Sequence, residues 1–421
     1  MQVFKFGGAS VKDAESVRNV ANILRKHCDR KTVVVISAMG KMTNALEEIV
    51  NLRLNSENRL SEATSNFFNF HNTILNELIP ADGLVYSNFE NLKSKFEQTL
   101  ELPIVSANQT YDAIVCFGEL LSTFIVSSYL NKIGINNKLV DARELIKTDS
   151  SFREANVNFQ LSEDLIRHNL LDELDKNEII ITQGFIGSDA NNNAVTLGRE
   201  GSDYTASLIA YFINASKVVI WKDVPGVLNA DPKYFKNTEI IKELSYHDAI
   251  EMTYFGASVI HPKTIKPLQN KSITLYVNSF LAPEKTGTAI GNTNSRLNIP
   301  TFIFKNNQIL VSVQPKDFSF IAEKNLSTIF KIISDLNIKV NMMQNSALSF
   351  SICIDNNSER FSDLLEQLSE GYSVLYNENV KLMTIRNYND DLISQLAKNH
   401  EILLEQRTRT TIQMVLNEVI I

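Results

Sequence analysis

Near its start the chain carries a segment, Lys5–Ser10, whose residue types suit the binding of an anion. Gly7 and Gly8 follow a short apolar run, and adjacent glycines let backbone N–H groups close around a phosphate. The lysine just before them can reach the same anion, and a helix predicted to start near Asp13 adds partial positive charge at its N-terminus. The spacing is not that of a Walker A loop, so a plain strand–helix turn stays the alternative interpretation.

Two further segments place polar groups beside apolar ones. The segment Ser37–Asn44 follows the apolar run Val33–Ile36, and its hydroxyl groups, Thr43 among them, suit a polar ligand, although a turn explains them equally well. Glu119 lies in an apolar stretch of helical character, 112–130. A carboxylate in that setting is either exposed on a polar face or holds an ammonium group.

Arg199 lies in a glycine-punctuated loop that precedes an apolar helical run, Ala206–Phe212. Ser202 or Asp203 could simply cap that helix. A cap does not account for Arg199, because a guanidinium between two glycines is suited to bidentate recognition of a carboxylate. The loop is therefore predicted to bind an acidic ligand.

Pro/Gly turns follow another apolar run in the segments Trp221–Val227 and Asn229–Lys233. A rigid loop of this kind suits the adenine and ribose of a nucleotide, and a long surface turn is the alternative. Further on, a helix is predicted to end at Gly256, and Pro262 opens the next one. His261 between them is interpreted as structural, since the six histidines are scattered and form no metal-binding triad.

Apolar β-branched runs alternating with helical stretches organise the first 290 or so residues. The runs Val33–Ile36, Ile179–Ile181 and Val218–Trp221 are each followed by a loop rich in Gly, Ser or Asp. This pattern predicts an α/β fold with a mostly parallel sheet covered by helices on both faces, with ligands at the carboxyl ends of the strands. The stretch Asn51–Leu100 is predicted to be helical packing without chemistry.

The pattern changes after a polar, turn-rich segment, Gly291–Pro300, which is predicted to be a linker. Apolar residues at helical spacing in 326–333 precede alternating ones in 348–354. A weaker copy follows, with strand 381–385, helix 390–398 and strands 402–406 and 411–416. We therefore predict a catalytic domain over 1–290 and two small α+β units over 301–370 and 371–421.

Composition limits the classes of function. The 421 residues have a formal net charge of −7, with 44% hydrophobic and 21% charged residues, as in soluble globular proteins. The acidic balance disfavours a nucleic-acid partner, and no apolar run or leader pattern predicts a membrane span or secretion. Three distant cysteines give no disulfide framework, which fits a reducing cytoplasm.

Several motifs, taken in order, resemble those of the monofunctional aspartokinases of the amino-acid kinase fold. The C-terminal units resemble the paired ACT domains that regulate such enzymes. The resemblance extends over essentially the whole chain and rests on the motifs KFGGAS, SAMGKMTNAL, FGELLS, DAR, TQGFIG, TLGREGSDYTA, WKDVPGV and EMTYFGASVIHP.

The resemblance implies phosphorylation of the side-chain carboxylate of L-aspartate by ATP, with Mg²⁺ held mainly by the nucleotide phosphates, as the first step of lysine, threonine and methionine biosynthesis. It implies Lys5 as the catalytic lysine and Asp203 as the residue that orients the lysines near the phosphates. The implied substrate residues are Ser37, Thr43, Glu119 facing the α-ammonium, Arg199 at the α-carboxylate, and Ser202. The implied ATP residues are Gly7, Gly8, Ser10, Lys222, Asp223, Lys233 and Ser258.

The sequence departs from the family pattern at the nucleotide. Ala9 replaces the usual threonine, and Ser258 stands where many relatives have a lysine that contacts ATP phosphates. Lys222, Lys233 or Lys263 would then supply the missing positive charge, and the residues alone do not choose among them.

In the first ACT-like unit, Asn341 and Ala347 stand where lysine-sensitive relatives have carboxylates. The resemblance implies an amino-acid effector that binds at this unit. It also implies a homodimer formed by pairing of the ACT-like units. Two alternatives stay open: a kinase of the same fold for a glutamate-like substrate, and a catalytically weak ACT-domain sensor. The effector residues implied are Asn341, Gln344, Asn345 and Ser346.

Overall fold

The structure is a computed structural model that describes residues 1–28, 31–80, 82–257, 260–293, 297–317, 319–389, 393 and 400–418. It divides into two compact units. The first comprises Met1–Val227, Ile240–Ile250 and Ile260–Ser295, and the second Leu228–Glu239, Glu251–Val259 and Arg296–Ile421.

The first unit is built on an eight-stranded sheet in the order β3-β4-β2-β1-β7-β9-β10-β8. All neighbours run parallel except β9 and β10. The strands are β1 (Gln2–Phe6), β2 (Thr32–Ile36), β3 (Lys138–Val140), β4 (Ile179–Gln183), β7 (Lys217–Lys222), β8 (Glu243–Ser245), β9 (Thr274–Ser279) and β10 (Thr288–Gly291), with a separate pair β5 (Ile186–Ser188) and β6 (Ala194–Thr196).

Strands β1, β2 and β4 are buried at every residue. Since successive side chains of a strand point to opposite faces, this burial shows that both faces of the sheet are covered, and the covering elements are helices. The predicted α/β class is confirmed. The helices are α1 (Ala14–His27), α2 (Met42–Leu54), α3 (Leu60–Leu78), α4 (Gly83–Glu101), α5 (Ala107–Lys132), α6 (Ala142–Leu145), α7 (Phe159–Leu165), α8 (Leu171–Lys176), α9 (Gly201–Phe212), α10 (Tyr246–Phe255) and α11 (Pro262–Asn270).

Four strand ends meet at one edge of the sheet. Phe6 at the end of β1 pairs with Ile36 of β2 and with Trp221 of β7, and Ile36 pairs with Gln183 of β4. Strand β1 is the point where the chain order changes direction, with β2 and β4 on one side and β7 on the other. Crevices in such sheets open beyond the carboxyl ends at this point.

Helix α5 is the one described helix that is long and apolar enough to cross a membrane by length and composition. Its most apolar window is 78% buried inside the protein. The helix also buries polar side chains, Asp112 and Glu119 among them, which identifies it as a core helix of the first unit. The predicted packing stretch 51–100 holds most of α3 and α4, whose Phe67, Phe89 and Phe96 lie in the same core.

The second unit is built on a six-stranded antiparallel sheet in the order β12-β13-β11-β14-β16-β15. Within the described residues two helices of this unit, α12 and α13, accompany the sheet, which gives the α+β character predicted from the sequence. The elements are β11 (Thr301–Pro315), α12 (Glu323–Asp335), β12 (Val340–Asn345), β13 (Phe350–Asp355), α13 (Ser358–Gly371), β14 (Tyr372–Arg386), β15 (His400–Arg407) and β16 (Thr411–Glu418).

The two long strands each serve both halves of this sheet. Residues 301–305 of β11 pair with 382–386 of β14, and that part of β14 also pairs with β16. Residues 308–315 of β11 pair instead with β13 and with the first half of β14. A shift in register between Lys305 and Gln308 marks the point at which β11 changes its pairing partners. The second α+β half therefore combines residues 301–305, which precede the first half in the chain, with the end of β14 and with β15 and β16, which follow it.

The predicted alternation over 348–354 holds for Phe350, Ile352 and Ile354, which pack against α12 and α13. Cys353, which alternates with these residues along β13, is fully buried as well. It lies in a second apolar cluster on the opposite face, with Leu310 and Val415. The helix predicted at 390–398 falls mostly outside the described residues, as does part of the predicted linker.

Candidate active site

A cavity of about 890 Å³ opens where the four strand ends meet. Its wall includes twelve of the fourteen residues assigned above to catalysis, substrate and ATP. Those twelve are Lys5, Gly7, Gly8, Ser10, Ser37, Thr43, Glu119, Arg199, Ser202, Asp203, Lys222 and Asp223.

A buried carboxylate between two ammonium groups forms the floor of the cavity. The Nζ atom of Lys5 lies 2.6 Å from Oδ1 of Asp203, and Nζ of Lys222 lies 3.7 Å from Oδ2. Burial by itself raises the pKa of Asp203, but the charges of Lys5 and Lys222 outweigh it and hold this pKa below its usual value. Asp203 is therefore ionised at neutral pH and fixes both lysines beside the glycine loop.

The glycine loop follows β1 and enters a single 3-10 turn, Gly8–Val11. A Cβ atom on Gly8 would lie 2.8 Å from the carbonyl oxygens of both Ala38 and Gly40, so only glycine fits between the loops after β1 and β2. Helix α1 then begins with Asp13 as its N-cap, as predicted. Ser10 is buried, and its hydroxyl donates to the Trp221 carbonyl at 3.4 Å, which ties the loop to the end of β7.

Glu119 is 2% exposed, and burial raises the pKa of its carboxyl to about 8, although a backbone hydrogen bond and the charge of Lys5 act in the opposite direction. Its Oε1 accepts from the Ala38 backbone N–H at 3.3 Å. Its Oε2 is buried and has no hydrogen-bond partner among the described residues. Once it loses its proton, this carboxyl is suited to receive an ammonium group from a ligand, and the alternative of an exposed polar face is wrong.

Arg199 is exposed at the rim, in a loop of left-handed residues with φ +77° at Gly198 and +53° at Glu200. Helix α9 begins directly after Glu200, which offers no side-chain cap. The interpretation of Asp203 as a simple helix cap is therefore wrong, because its carboxylate faces the lysines. Ser202 packs against the chain after β4, where a Cβ atom on Gly184 would lie 2.5 Å from the Ser202 Cβ.

Among the three lysines considered for the nucleotide, Lys222 lies in the cavity wall. Lys263 instead donates to the Leu197 carbonyl at 3.1 Å and lies 5.0 Å from the centroid of the Tyr204 ring. Lys233 belongs to the segment 228–239 of the second unit. Ser258 lies outside the described residues.

Sequence reasoning missed one side of the wall, which includes Asn108, Tyr111 and the segment 152–154. The Arg153 guanidinium lies 4.1 Å from the centroid of the Tyr111 ring. No glycine or motif spacing marks these residues in the sequence. The signal that identifies them is spatial, because the two residues come together only in the folded chain.

The residues predicted to hold an effector lie on β12, an edge strand of the second unit's sheet, and just beyond it. Asn341 is buried, and its Oδ1 accepts from Nζ of Lys305 at 2.7 Å. Its Nδ2 donates to Gln308 at 2.7 Å and to Asp355 at 2.9 Å. Asn341 is thus fully engaged within the chain, whereas the other three, Gln344, Asn345 and Ser346, are exposed.

The sequence of this chain is similar to those of known enzymes. The amino acid kinase family profile matches residues 1–279. Lysine-sensitive aspartokinase 3 of Escherichia coli is 31% identical over 84% of this chain and 78% of its own length, and aspartokinase 2, chloroplastic, of Arabidopsis thaliana is 30% identical over 87% and 69%.

Solved structures agree with the sequence relatives. The crystal structure of E. coli aspartokinase III in complex with lysine and aspartate superimposes with a TM-score of 0.83 at 27% identity, covering 99% of this chain and 95% of the other. The same enzyme in complex with aspartate and ADP gives a TM-score of 0.81 at 26% identity, with 99% and 96% covered.

Proposed function

The chain belongs to the aspartokinases of the amino acid kinase family, and from this premise we propose that it transfers the γ-phosphoryl group of ATP to the side-chain carboxylate of L-aspartate, giving 4-phospho-L-aspartate. The proposal rests on a single cavity whose wall holds both the groups suited to phosphate and the group suited to an ammonium. Lys5 and Lys222 converge on Asp203 beside the glycine loop, and Glu119 offers to an ammonium group a buried oxygen that no described residue hydrogen-bonds.

The chemistry requires no general base. The nucleophile is a carboxylate of the substrate, which is ionised at neutral pH because the pKa of an aspartate side chain is about 3.9. Catalysis therefore consists of positioning and of stabilising the charge of the transferred phosphoryl group. Lys5, Lys222 and the N–H groups at Gly7 and Gly8 supply positive charge and donors for this purpose.

The acceptor is held by the opposite part of the wall. Glu119 binds the α-ammonium and Arg199 the α-carboxylate, and Ser37, Thr43 and Ser202 of the same wall are further substrate-binding residues. Asp223 lies at the nucleotide with Ser10 at the loop, and Lys233 and Ser258 stay predictions for the same ligand.

Mg²⁺ accompanies the nucleotide in this proposal. Asp203 faces two lysines and is not offered to a metal, so the ion takes its ligands mainly from phosphate oxygens and water, as its coordination preference allows. When bound, the ion neutralises charge on the β- and γ-phosphates.

The test of the function is a coupled assay of ADP release with L-aspartate, with N-acetylglutamate and without acceptor, together with trapping of the acyl phosphate by hydroxylamine. We expect ADP and hydroxamate only with aspartate. Turnover with N-acetylglutamate alone would favour the glutamate-like alternative. Absence of turnover with every acceptor would favour the sensor alternative, which the occupied positions Lys5, Glu119, Arg199 and Asp203 disfavour.

Replacing Arg199 with alanine is expected to raise the KM for aspartate by about tenfold to a hundredfold, because a charge-assisted contact to a carboxylate is lost. That carboxylate does not change charge during the reaction, so its loss appears mainly in KM and much less in kcat. Steady-state kinetics with each substrate varied in turn measure the effect. The assignment is wrong if the KM for ATP rises and that for aspartate does not.

The wider organisation is also a proposal. The proposed catalytic domain spans 1–290, although its segments 228–239 and 251–259 group with the second compact unit. The proposed ACT-like units span 301–370 and 371–421, and the pairing of residues 301–305 with the end of β14 supports counting these five residues with the second ACT-like unit. The protein is placed in the cytoplasm, in amino-acid biosynthesis, as a homodimer formed through its ACT-like units.

Lysine alone is expected to inhibit this enzyme weakly. Asn341 and Ala347 offer no carboxylate, and Asn341 already accepts from the ammonium of Lys305 at 2.7 Å. An effector ammonium would therefore be desolvated without compensation. A neutral side chain such as that of threonine does not need the missing charges, and Gln344, Asn345 and Ser346 can bind its hydroxyl.

Calorimetry and activity assays with lysine, threonine and methionine at millimolar concentration test this expectation. Replacing the exposed Ala347 with glutamate should tighten lysine binding, whereas an aspartate at Asn341 should not, because it would pair with Lys305 and face the carboxylate of Asp355. Tight lysine binding by the natural chain, with strong loss of activity, would show that other residues hold the ammonium. An effector changes activity only if it binds one conformation better than the other, so binding without inhibition would assign the ACT-like units to assembly alone.

A further inference from the structure

We propose that Arg153 is a second guanidinium of the acceptor subsite, which contacts a carboxylate of the bound amino acid together with Arg199. The inference rests on the proposed function and deepens it, because it names a residue that no motif marks. Three observations carry it: the backbone conformation of Arg153, the support of its side chain, and the elements to which its supports belong.

The backbone of Arg153 is held in an unfavourable conformation. Its φ is +73°, in the left-handed region that favours glycine over side chains with a Cβ atom. Such a residue persists only where its surroundings determine it, and these conformations cluster at ligand sites. Here the Arg153 N–H donates to Oδ2 of Asp112 at 2.9 Å. Asp112 is fully buried and also accepts from the N–H of Thr196 at 2.9 Å and from its hydroxyl at 2.7 Å.

The side chain of Arg153 is prepared for a planar partner. Its guanidinium carbon lies 4.1 Å from the centroid of the Tyr111 ring, and the Tyr111 hydroxyl donates to Oε1 of Glu47 at 2.8 Å, which fixes the ring. A guanidinium held over an aromatic ring can still present N–H groups to a carboxylate and bind it in bidentate form. No ion pair joins Arg153 to another residue within the described part of the chain.

The supports of Arg153 lie on the elements that carry acceptor residues or directly before the loop that does. Glu47 lies one helical turn after Thr43 on α2, and Asp112 lies two turns before Glu119 on α5. Thr196, at the end of β6, precedes Arg199 by three residues.

The Arg199 loop also packs directly on the segment that carries Arg153. A Cβ atom on Gly198 would lie 2.9 Å from Cγ of Glu154 and 3.4 Å from the Arg153 carbonyl oxygen. The absence of a side chain at Gly198 therefore permits this approach. The backbone of Arg153 thus lies beside the Arg199 loop, and Arg153 belongs to the wall of the same cavity. Two guanidinium groups at the acceptor would favour an acceptor with two carboxylates over its amide.

The variant Arg153→Gly tests the proposal with little risk to folding, since glycine adopts the left-handed backbone freely. We expect the KM for aspartate to rise about tenfold to a hundredfold, with the KM for ATP within about twofold and the thermal midpoint unchanged or higher. Arg153→Lys, which keeps the charge without the planar fork, should fall between. The matched control is Ser56→Gly, a left-handed residue with φ +53° outside the cavity wall, which should alter neither KM.

Calorimetric titration with aspartate, in the absence of ATP, separates this proposal from the proposed function. Weaker aspartate binding by Arg153→Gly than by the natural chain supports a role for Arg153 in binding even if turnover is absent. Equal aspartate affinity overturns it, and so does a selective loss of ATP affinity, which would assign the guanidinium to the nucleotide. If the natural chain neither binds nor phosphorylates aspartate, both proposals fall.

Discussion

Replacing Lys5 with alanine should lower kcat by about a hundredfold or more while changing the KM for aspartate little. The ammonium of Lys5 lies beside the glycine loop, where charge shifts between ATP and the acceptor during transfer. Interactions that strengthen in the transition state appear in kcat, and uniform binding appears in KM. Steady-state kinetics under saturating ATP and aspartate measure the split.

The structure adds a complication to this experiment. Asp203 is 3% exposed and would lose its partner at 2.6 Å, leaving Lys222 at 3.7 Å as its one ion-pair partner among the described residues. Removing one member of a buried ion pair typically costs about 3–5 kcal/mol of stability, so low activity in Lys5→Ala alone is ambiguous.

A double variant removes that ambiguity. Lys5→Met combined with Asp203→Asn takes away both buried charges at nearly constant volume and should recover most of the thermal midpoint without recovering kcat. Recovery of kcat in the double variant, or near-normal kcat in Lys5→Ala, would show that Lys5 has only a structural role.

The parts of this site that were predictable from the sequence are those marked by chain-local patterns. Apolar runs followed by small or polar residues indicate parallel strands and their carboxyl ends, and these ends do meet at Phe6, Ile36 and Trp221. Gly7, Gly8 and Arg199 then follow from their position directly after a strand or before a helix. Local spacing is sufficient because each residue reaches the cavity from an element that the pattern itself defines.

The parts that were not predictable depend on contacts between distant segments. Arg153 and Tyr111 meet only because Asp112 holds the loop after α6 against β6. The burial of Asn341 depends on irregularities in two strands, one between Val340 and Met342 and the other beside Gln308. Neither irregularity has a distinctive composition, so the sequence does not show which side chains of β12 are buried.

Glu119 should make aspartate binding depend on pH in the natural enzyme. Burial raises the pKa of this carboxyl to about 8 in the empty site, so it is mostly protonated at pH 7 and must lose its proton to pair with an ammonium. Below that pKa, the KM for aspartate should therefore fall about tenfold for each unit of rising pH, then level off. The measurement is the aspartate KM at pH 6, 7 and 8, with calorimetry in two buffers to count the protons released.

In Glu119→Gln, the KM for aspartate should be raised about tenfold to a hundredfold at pH 8 and should no longer vary with pH in this range. The same substitution should stabilise the empty protein. Because the folded pKa lies above the usual 4.5, the native state holds an extra proton between those values and loses stability as pH rises. The glutamine variant escapes this loss, so its gain in thermal midpoint over the natural chain should grow from pH 5 to pH 8. A flat pH profile of KM in the natural enzyme, with no gain in stability for the variant, would mean that Glu119 is ionised in the empty site and does not exchange a proton for the substrate.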